Sequence, residues 1–267
     1  MTLQHRVQGQ GEPLLLVAGT GFSGETWTPD MVSRLAERHT VITFDHRGTG
    51  RSAIDSEDLS TRLFAADALA LMRDLGCGPA HVLGHSMGGR VAQWMALDGA
   101  EQVRSLILAA SGAGREDGAA VLGIPLSQAL GLAQKGYQRY MNEHIRATFF
   151  TPAGASSKAA DWLVQAFWDS RPDLESYLKH VQARQQHRTT DLLALIAQPT
   201  LVLVGDRDTH AGGTGSHLEQ SRYLARHLPT ARYHELTGVS HGYFWEAPDP
   251  ALKVVLEWLE DQSRGSR

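Results

Sequence analysis

The sequence predicts an α/β protein: a mostly parallel central sheet flanked by helices, with a helical segment inserted between two late strands. Three observations point there. Short apolar runs alternate with longer stretches of helical periodicity. The first five of six such runs are apolar on both faces, the pattern of strands covered on both sides by crossover helices. The alternation lapses once, between about residues 113 and 197, where helical pieces follow one another without a convincing strand.

In chain order, the runs Leu14–Ala18, Val41–Asp45, His81–His85, Ser105–Ala110, Thr200–Gly205 and Arg232–Leu236 read as strands. Between the second and third, Leu63, Phe64, Ala68, Leu71, Met72 and Leu75 recur at helical spacing, and Gly76 supplies a stop. Val91–Leu97 and Ala251–Leu259 read as further helices. Such alternation implies right-handed crossovers and an open sheet. The inserted segment reads as helices over Leu126–Glu143, Lys158–Asp169 and Leu174–Gln186. It carries Tyr137, Tyr140, Phe149, Phe150, Trp162, Phe167, Trp168 and Tyr177. These aromatics either line a pocket beneath a cap or glue the cap's helices together. The reading is one domain, with a core of residues 1–112 and 198–267 and a cap of about 113–197.

Composition narrows the function classes. A chain of 267 residues with 42% hydrophobic content fits one large α/β domain. A net charge of −4 without blocks of like charge argues against nucleic acid and against an anionic membrane surface. The opening MTLQHRVQGQGEP lacks a basic stretch followed by an apolar one, and no apolar run is long enough to cross a bilayer. One cysteine, Cys77, allows no internal disulfide. A cytoplasmic protein with a small-molecule ligand is expected. The tryptophans and the apolar cap suit a homodimer contact as well as a pocket.

The chemistry concentrates at Gly84-His85-Ser86-Met87-Gly88, a G-x-S-x-G pattern between a buried strand and a helix. A sharp strand-to-helix turn pushes a serine hydroxyl outward. Side chains two residues before and after it would collide, which accounts for both glycines. The amide after the serine faces a developing oxyanion, assisted by the start of the helix. The alternative is a serine that only serves a turn.

A serine needs a base, and the base an orienting carboxylate. Of the 13 histidines, His241 in LTGVSHGYFWEAPD follows the last strand and precedes the last helix, at the same sheet edge as Ser86. His210 and His217, in a glycine-rich loop, are second choices; the His85 side chain should point to the opposite side of the turn. TLVLVGDRDTH supplies two acids. Asp206 suits the turn itself, and Asp208 suits the histidine. The second oxyanion amide is assigned to Thr20, in VAGTGFSGETW, partnered by that of Met87.

With these motifs the chain resembles the α/β-hydrolase superfamily over nearly its whole length. DHRGTGRS (Asp45 to Ser52) is similar to the family's D-x-R-G-x-G-x-S loop, and GVSHGYFWEAPD to its G-x-x-H segment with a downstream Glu-x-Pro. Many members carry His-Gly after the first strand; here it is Ala18-Gly19. The resemblance implies an α/β-hydrolase fold, a Ser86-His241-Asp208 triad, and no cofactor or metal. It leaves esterases, enol-lactonases, carbon–carbon bond hydrolases, haloperoxidases and aminoacrylate hydrolases open. The expected activity is hydrolysis of a small ester or lactone. Alternatives are amide or carbamate hydrolysis, carbon–carbon cleavage with a cap arginine (Arg146, Arg171, Arg184 or Arg188) on a substrate carboxylate, or a binding protein without turnover.

Overall fold

The computed structural model describes residues 3–54, 58–115, 123–170, 173–209, 211–212 and 215–264. Nine strands are present among them: β1 (His5–Gln8), β2 (Glu12–Val17), β3 (His39–Phe44), β4 (Ala80–His85), β5 (Val103–Ala109), β6 (Thr200–Gly205), β7 (Ala211–Gly212), β8 (Gly215–Ser216) and β9 (Ala231–Leu236). Seven form one sheet in the order β1-β3-β2-β4-β5-β6-β9. Only β1 runs antiparallel to its neighbour. The short β7 and β8 pair with each other.

Side chains on a strand alternate between faces, and two separate cores result. Leu14, Leu16, Leu83, Ile107, Leu201 and Leu203 share one. Leu15, Val17, Val82, Leu106, Leu108 and Val202 share the other. Both faces are therefore dry, which is why these strands read as unbroken apolar runs. Full burial of each such side chain stabilises the fold by about 1.5–3 kcal/mol.

Helices close both faces. On the first lie α1 (Pro29–Ala36) and, at the chain's end, α10 (Pro248–Arg264). On the second lie α2 (Thr61–Asp74), α3 (Met87–Asp98) and α8 (His217–His227). Ser60 caps α2 through the Leu63 amide, and Gly76 follows its end at φ 63°. Between β5 and β6 come α4 (Leu126–Lys135), α5 (Tyr137–Phe149), α6 (Lys158–Ser170) and α7 (Leu174–Gln185). The sequence reads α4 and α5 as one helix. Gly136, at φ 74°, breaks it into two. A short α9 (Tyr243–Glu246) precedes α10. Among the described residues no helix is long and apolar enough to cross a membrane.

Parallel strands put their C-terminal ends at one edge. The segments after β2, β4, β6 and β9 therefore converge there, and they carry Thr20, Ser86, Asp208 and His241.

Candidate active site

No linker separates β4 from α3, so Ser86 alone turns the chain, at φ 56° and ψ −117°. A non-glycine residue there costs of order 1–3 kcal/mol and persists only where its surroundings hold it. They do. The Ser86 amide donates to Ala109 O at 2.8 Å, and its carbonyl accepts from Ser111 Oγ at 2.8 Å. A Cβ on Gly84 would lie 2.3 Å from the Gly88 carbonyl oxygen, and one on Gly88 would lie 2.0 Å from that of Val17. Ser86 occupies the N-cap position of α3 yet makes no capping bond. A serine there ordinarily caps; this hydroxyl is left for other work. Met87 opens the helix, where backbone amides lack intrahelical partners and the dipole favours negative charge.

The two acids after β6 have different partners. Asp206 Oδ1 accepts from the Gly238 amide at 2.7 Å, tying down the turn after β9. Asp208 is fully buried, and its Oδ2 accepts from His241 Nδ1 at 2.7 Å. That bond orients the imidazole and leaves its Nε2 as the nitrogen able to take a proton. The other carboxylate oxygen accepts from His217 Nδ1 at 3.3 Å. Burial resists the charge on Asp208, but His241 and His217 outweigh it and hold the carboxyl well below the usual range. Burial pushes His217 itself down to about 4, so it is neutral at pH 7.

His85 departs from its sequence reading. Its ring packs 4.6 Å from that of His241, and its Nε2 donates to the His241 carbonyl at 2.9 Å. Burial holds it well below the usual histidine value, so it serves as a neutral strut. Glu246, of the Glu-x-Pro element, accepts from the Thr151 amide at 3.0 Å and the Ser240 amide at 3.4 Å, joining the His241 loop to the inserted helices. The Asp45 loop is a brace: Asp45 accepts from the amides of Gly24 and Arg51, and Arg47 forms a two-pronged pair with Asp67. Where many relatives have His-Gly after the first strand, two buried histidines support this loop. His46 Nε2 contacts Ala18 O at 3.3 Å. His180 accepts from the Gly21 amide and donates to Arg47 O.

Ser86, His241, His217 and Thr20 line one cavity of about 80 Å³. The inserted helices supply much of its wall, including Gln128, Tyr140, Phe149, Tyr177 and Arg184. Six of the eight aromatics divide between the cavity and packing. Tyr140, Phe149 and Tyr177 face the cavity, whereas Tyr137, Phe167 and Trp168 pack on one another or on the cavity wall. His210 and Arg171 lie outside the described residues. Arg146 and Arg188 pair at the surface with Asp161 and Asp191. A larger groove, about 960 Å³, opens at the other edge of the sheet among charged side chains such as Arg34, Glu37, Arg38 and Glu260. Thr20, Ser86, Asp208 and His241 are all absent from its lining.

Sequence spacing gives no zinc-like grouping of histidines. The fold does bring one ligand atom each of Asp208, His217 and His241 within 4.8 Å of one another. A divalent cation could use that set only by competing with the short bond from His241 to Asp208.

The profile of the alpha/beta hydrolase family matches residues 14–254. A protein of Pseudomonas savastanoi pv. phaseolicola provisionally named a carbamate hydrolase, RutD, is 31% identical, over 97% of this chain and 98% of its own. One of Mycobacterium tuberculosis provisionally named a non-heme bromoperoxidase, BpoC, is 29% identical over 97% and 98%. The enol-lactonase of Burkholderia xenovorans LB400 superposes with a TM-score of 0.82 at 24% identity, over 97% of this chain and 96% of its own.

Proposed function

The chain belongs to the alpha/beta hydrolase family and is a hydrolase; from that premise we propose that it cleaves a small carboxylic ester or lactone through an acyl-enzyme on Ser86. His241 Nε2 takes the hydroxyl proton as Ser86 Oγ attacks the carbonyl carbon. Asp208 keeps the imidazole in the required tautomer and steadies the cation that forms. The amides of Thr20 and Met87 donate to the oxyanion, each contributing about 3 kcal/mol of barrier reduction. His241 returns the proton to the leaving oxygen. It then activates a water that releases the acid and regenerates Ser86.

The observation that carries this reading is the hydroxyl of Ser86, held at φ 56° outside any capping bond, on the cavity it shares with the His241–Asp208 pair. The small cavity supports a short substrate. Amide or carbamate hydrolysis on the same residues is the second reading, supported by the likeness to RutD over nearly the full length of both chains.

The test is intact-mass spectrometry after treatment with a fluorophosphonate. One adduct on the wild type, absent from Ser86→Ala, is the expected result. No adduct on the folded wild type would overturn the mechanism. Comparing turnover of a phenyl ester with that of the matching phenyl carbamate then separates the two readings.

A further inference from the structure

The hydrolytic mechanism leaves the arginine of the cavity without a task. Arg184, on α7, lines it beside Tyr140 and Tyr177. Its main-chain carbonyl accepts from Arg90, but its guanidinium has no ion pair or hydrogen bond among the described residues. Other arginines of the inserted helices do: Arg139 with Glu143, Arg146 with Asp161. Among the described residues, no aspartate or glutamate lines the cavity. Burial works against the charge on Arg184, and only the nearby phenols of Tyr177 and Tyr140 oppose that.

The Arg184 side chain is half-buried, and holding a partly dehydrated guanidinium without a counter-charge has a cost. An anionic ligand would offset that cost, and a guanidinium fork matches a carboxylate with two parallel bonds. Two phenols stand ready to help. Burial keeps Tyr140 protonated, and Tyr177 accepts from Gln128 Nε2 at 2.8 Å, which leaves its own O–H free to donate.

We propose that Arg184 is a specificity-determining residue that binds a carboxylate carried by the substrate, so that the preferred esters or lactones are short and also bear a free acid. This rests on the ester reading above for the reaction, but not for the binding.

The test compares two near-isosteric methyl esters, monomethyl succinate and methyl 4-methylpentanoate, by methanol release on wild type, Arg184→Gln and Arg184→Lys. The wild type should favour the charged ester at least tenfold in kcat/KM. Arg184→Gln should lower that ratio at least tenfold, chiefly through KM. Arg184→Lys should fall between, because it keeps the charge and loses the fork; it also carries the comparison if the glutamine variant does not fold. No preference in the wild type, or an unchanged ratio in the folded variants, overturns the proposal while leaving the ester reading intact. If neither ester is cleaved, the ester reading fails and succinate titration calorimetry decides the carboxylate site. Binding weakened at least tenfold by Arg184→Gln supports it. Absent or equal binding overturns it.

Discussion

Replacing Asp208 with asparagine tests the proposed triad at the point where the sequence left two acids open. In the wild type the carboxylate accepts from His241 Nδ1 at 2.7 Å, in a site without solvent exposure. An asparagine amide in that place can donate to Nδ1. It would then stabilise the tautomer with the proton on Nε2, the atom that must accept from Ser86. The protease triad loses about 10⁴ in rate to the equivalent change, or about 5.5 kcal/mol of barrier. A similar loss is expected here, with unfolding unchanged in cooperativity. The assay is kcat/KM for a reactive phenyl ester, paired with the rate of fluorophosphonate labelling. Asp206→Asn is the matched control. Its carboxylate holds the Gly238 amide and lies 3.7 Å from the exposed Arg207 guanidinium, away from His241, so a rate within a few-fold of wild type is expected, with about 1 kcal/mol of stability lost. A loss of only a few-fold in Asp208→Asn, or a large one in Asp206→Asn, would refute the assignment.

Ser86→Ala should remove hydrolysis and fluorophosphonate labelling while shifting the melting temperature by no more than a few degrees, because the hydroxyl makes no capping bond. Gly88→Ala should cost about 3 kcal/mol or more in urea unfolding, since its Cβ meets the backbone of Val17 and Ala18 rather than a movable side chain; a loss under about 1 kcal/mol would contradict the close approach. Acid should loosen the brace around the loop after β2. Burial lowers His180 to about 4 and His46 to about 3, both below the value of about 6.5 in an unfolded chain. Their folded-state pKa values are depressed, so the unfolded state binds more protons and stability falls as pH drops from about 6.5 toward 4. His180 alone contributes about 3 kcal/mol to that slope. Urea unfolding from pH 7 to 4.5 should show the decline, and His180→Gln should flatten it.

The sheet was legible because burial on both faces leaves apolar runs that few other structures produce. Its edge was not. β1 is His-Arg-Val-Gln, exposed along its length, and only pairing with β3 makes it a strand. The helices α1 and α8 did carry signals. Thr28 before Pro29 opens the first, and Ser216 with Glu219 forms a capping box on the second. At the candidate site, chain order pointed to Ser86, His241 and the acids Asp206 and Asp208, because each follows a strand of a parallel sheet; the partners of the two acids told them apart. The contacts that support them were hidden. His85 adjoins Ser86 in sequence, yet its ring lies against His241. His217, nine residues beyond Asp208, reaches back to it only because α8 begins there. The inserted arginines look alike in sequence, and only their neighbours separate Arg184 from surface pairs such as those of Arg146 and Arg188.

The helix α7 connects these parts. Tyr177, His180 and Arg184 fall at positions i, i+3 and i+7, on one face of it. His180 fixes Gly21 and the carbonyl of Arg47, and so the segment that carries Thr20. Tyr177 and Arg184 stand in the cavity wall. One element therefore contacts both the loop with the proposed oxyanion amide and the cavity wall with the proposed carboxylate-binding arginine. The spacing between the two is then constrained through the contact of His180 with Gly21. Under the two proposed assignments, selection for acyl chain length would follow from that coupling. A substrate longer or shorter than the span would hold its carboxylate at Arg184 or its carbonyl at Thr20, but not both.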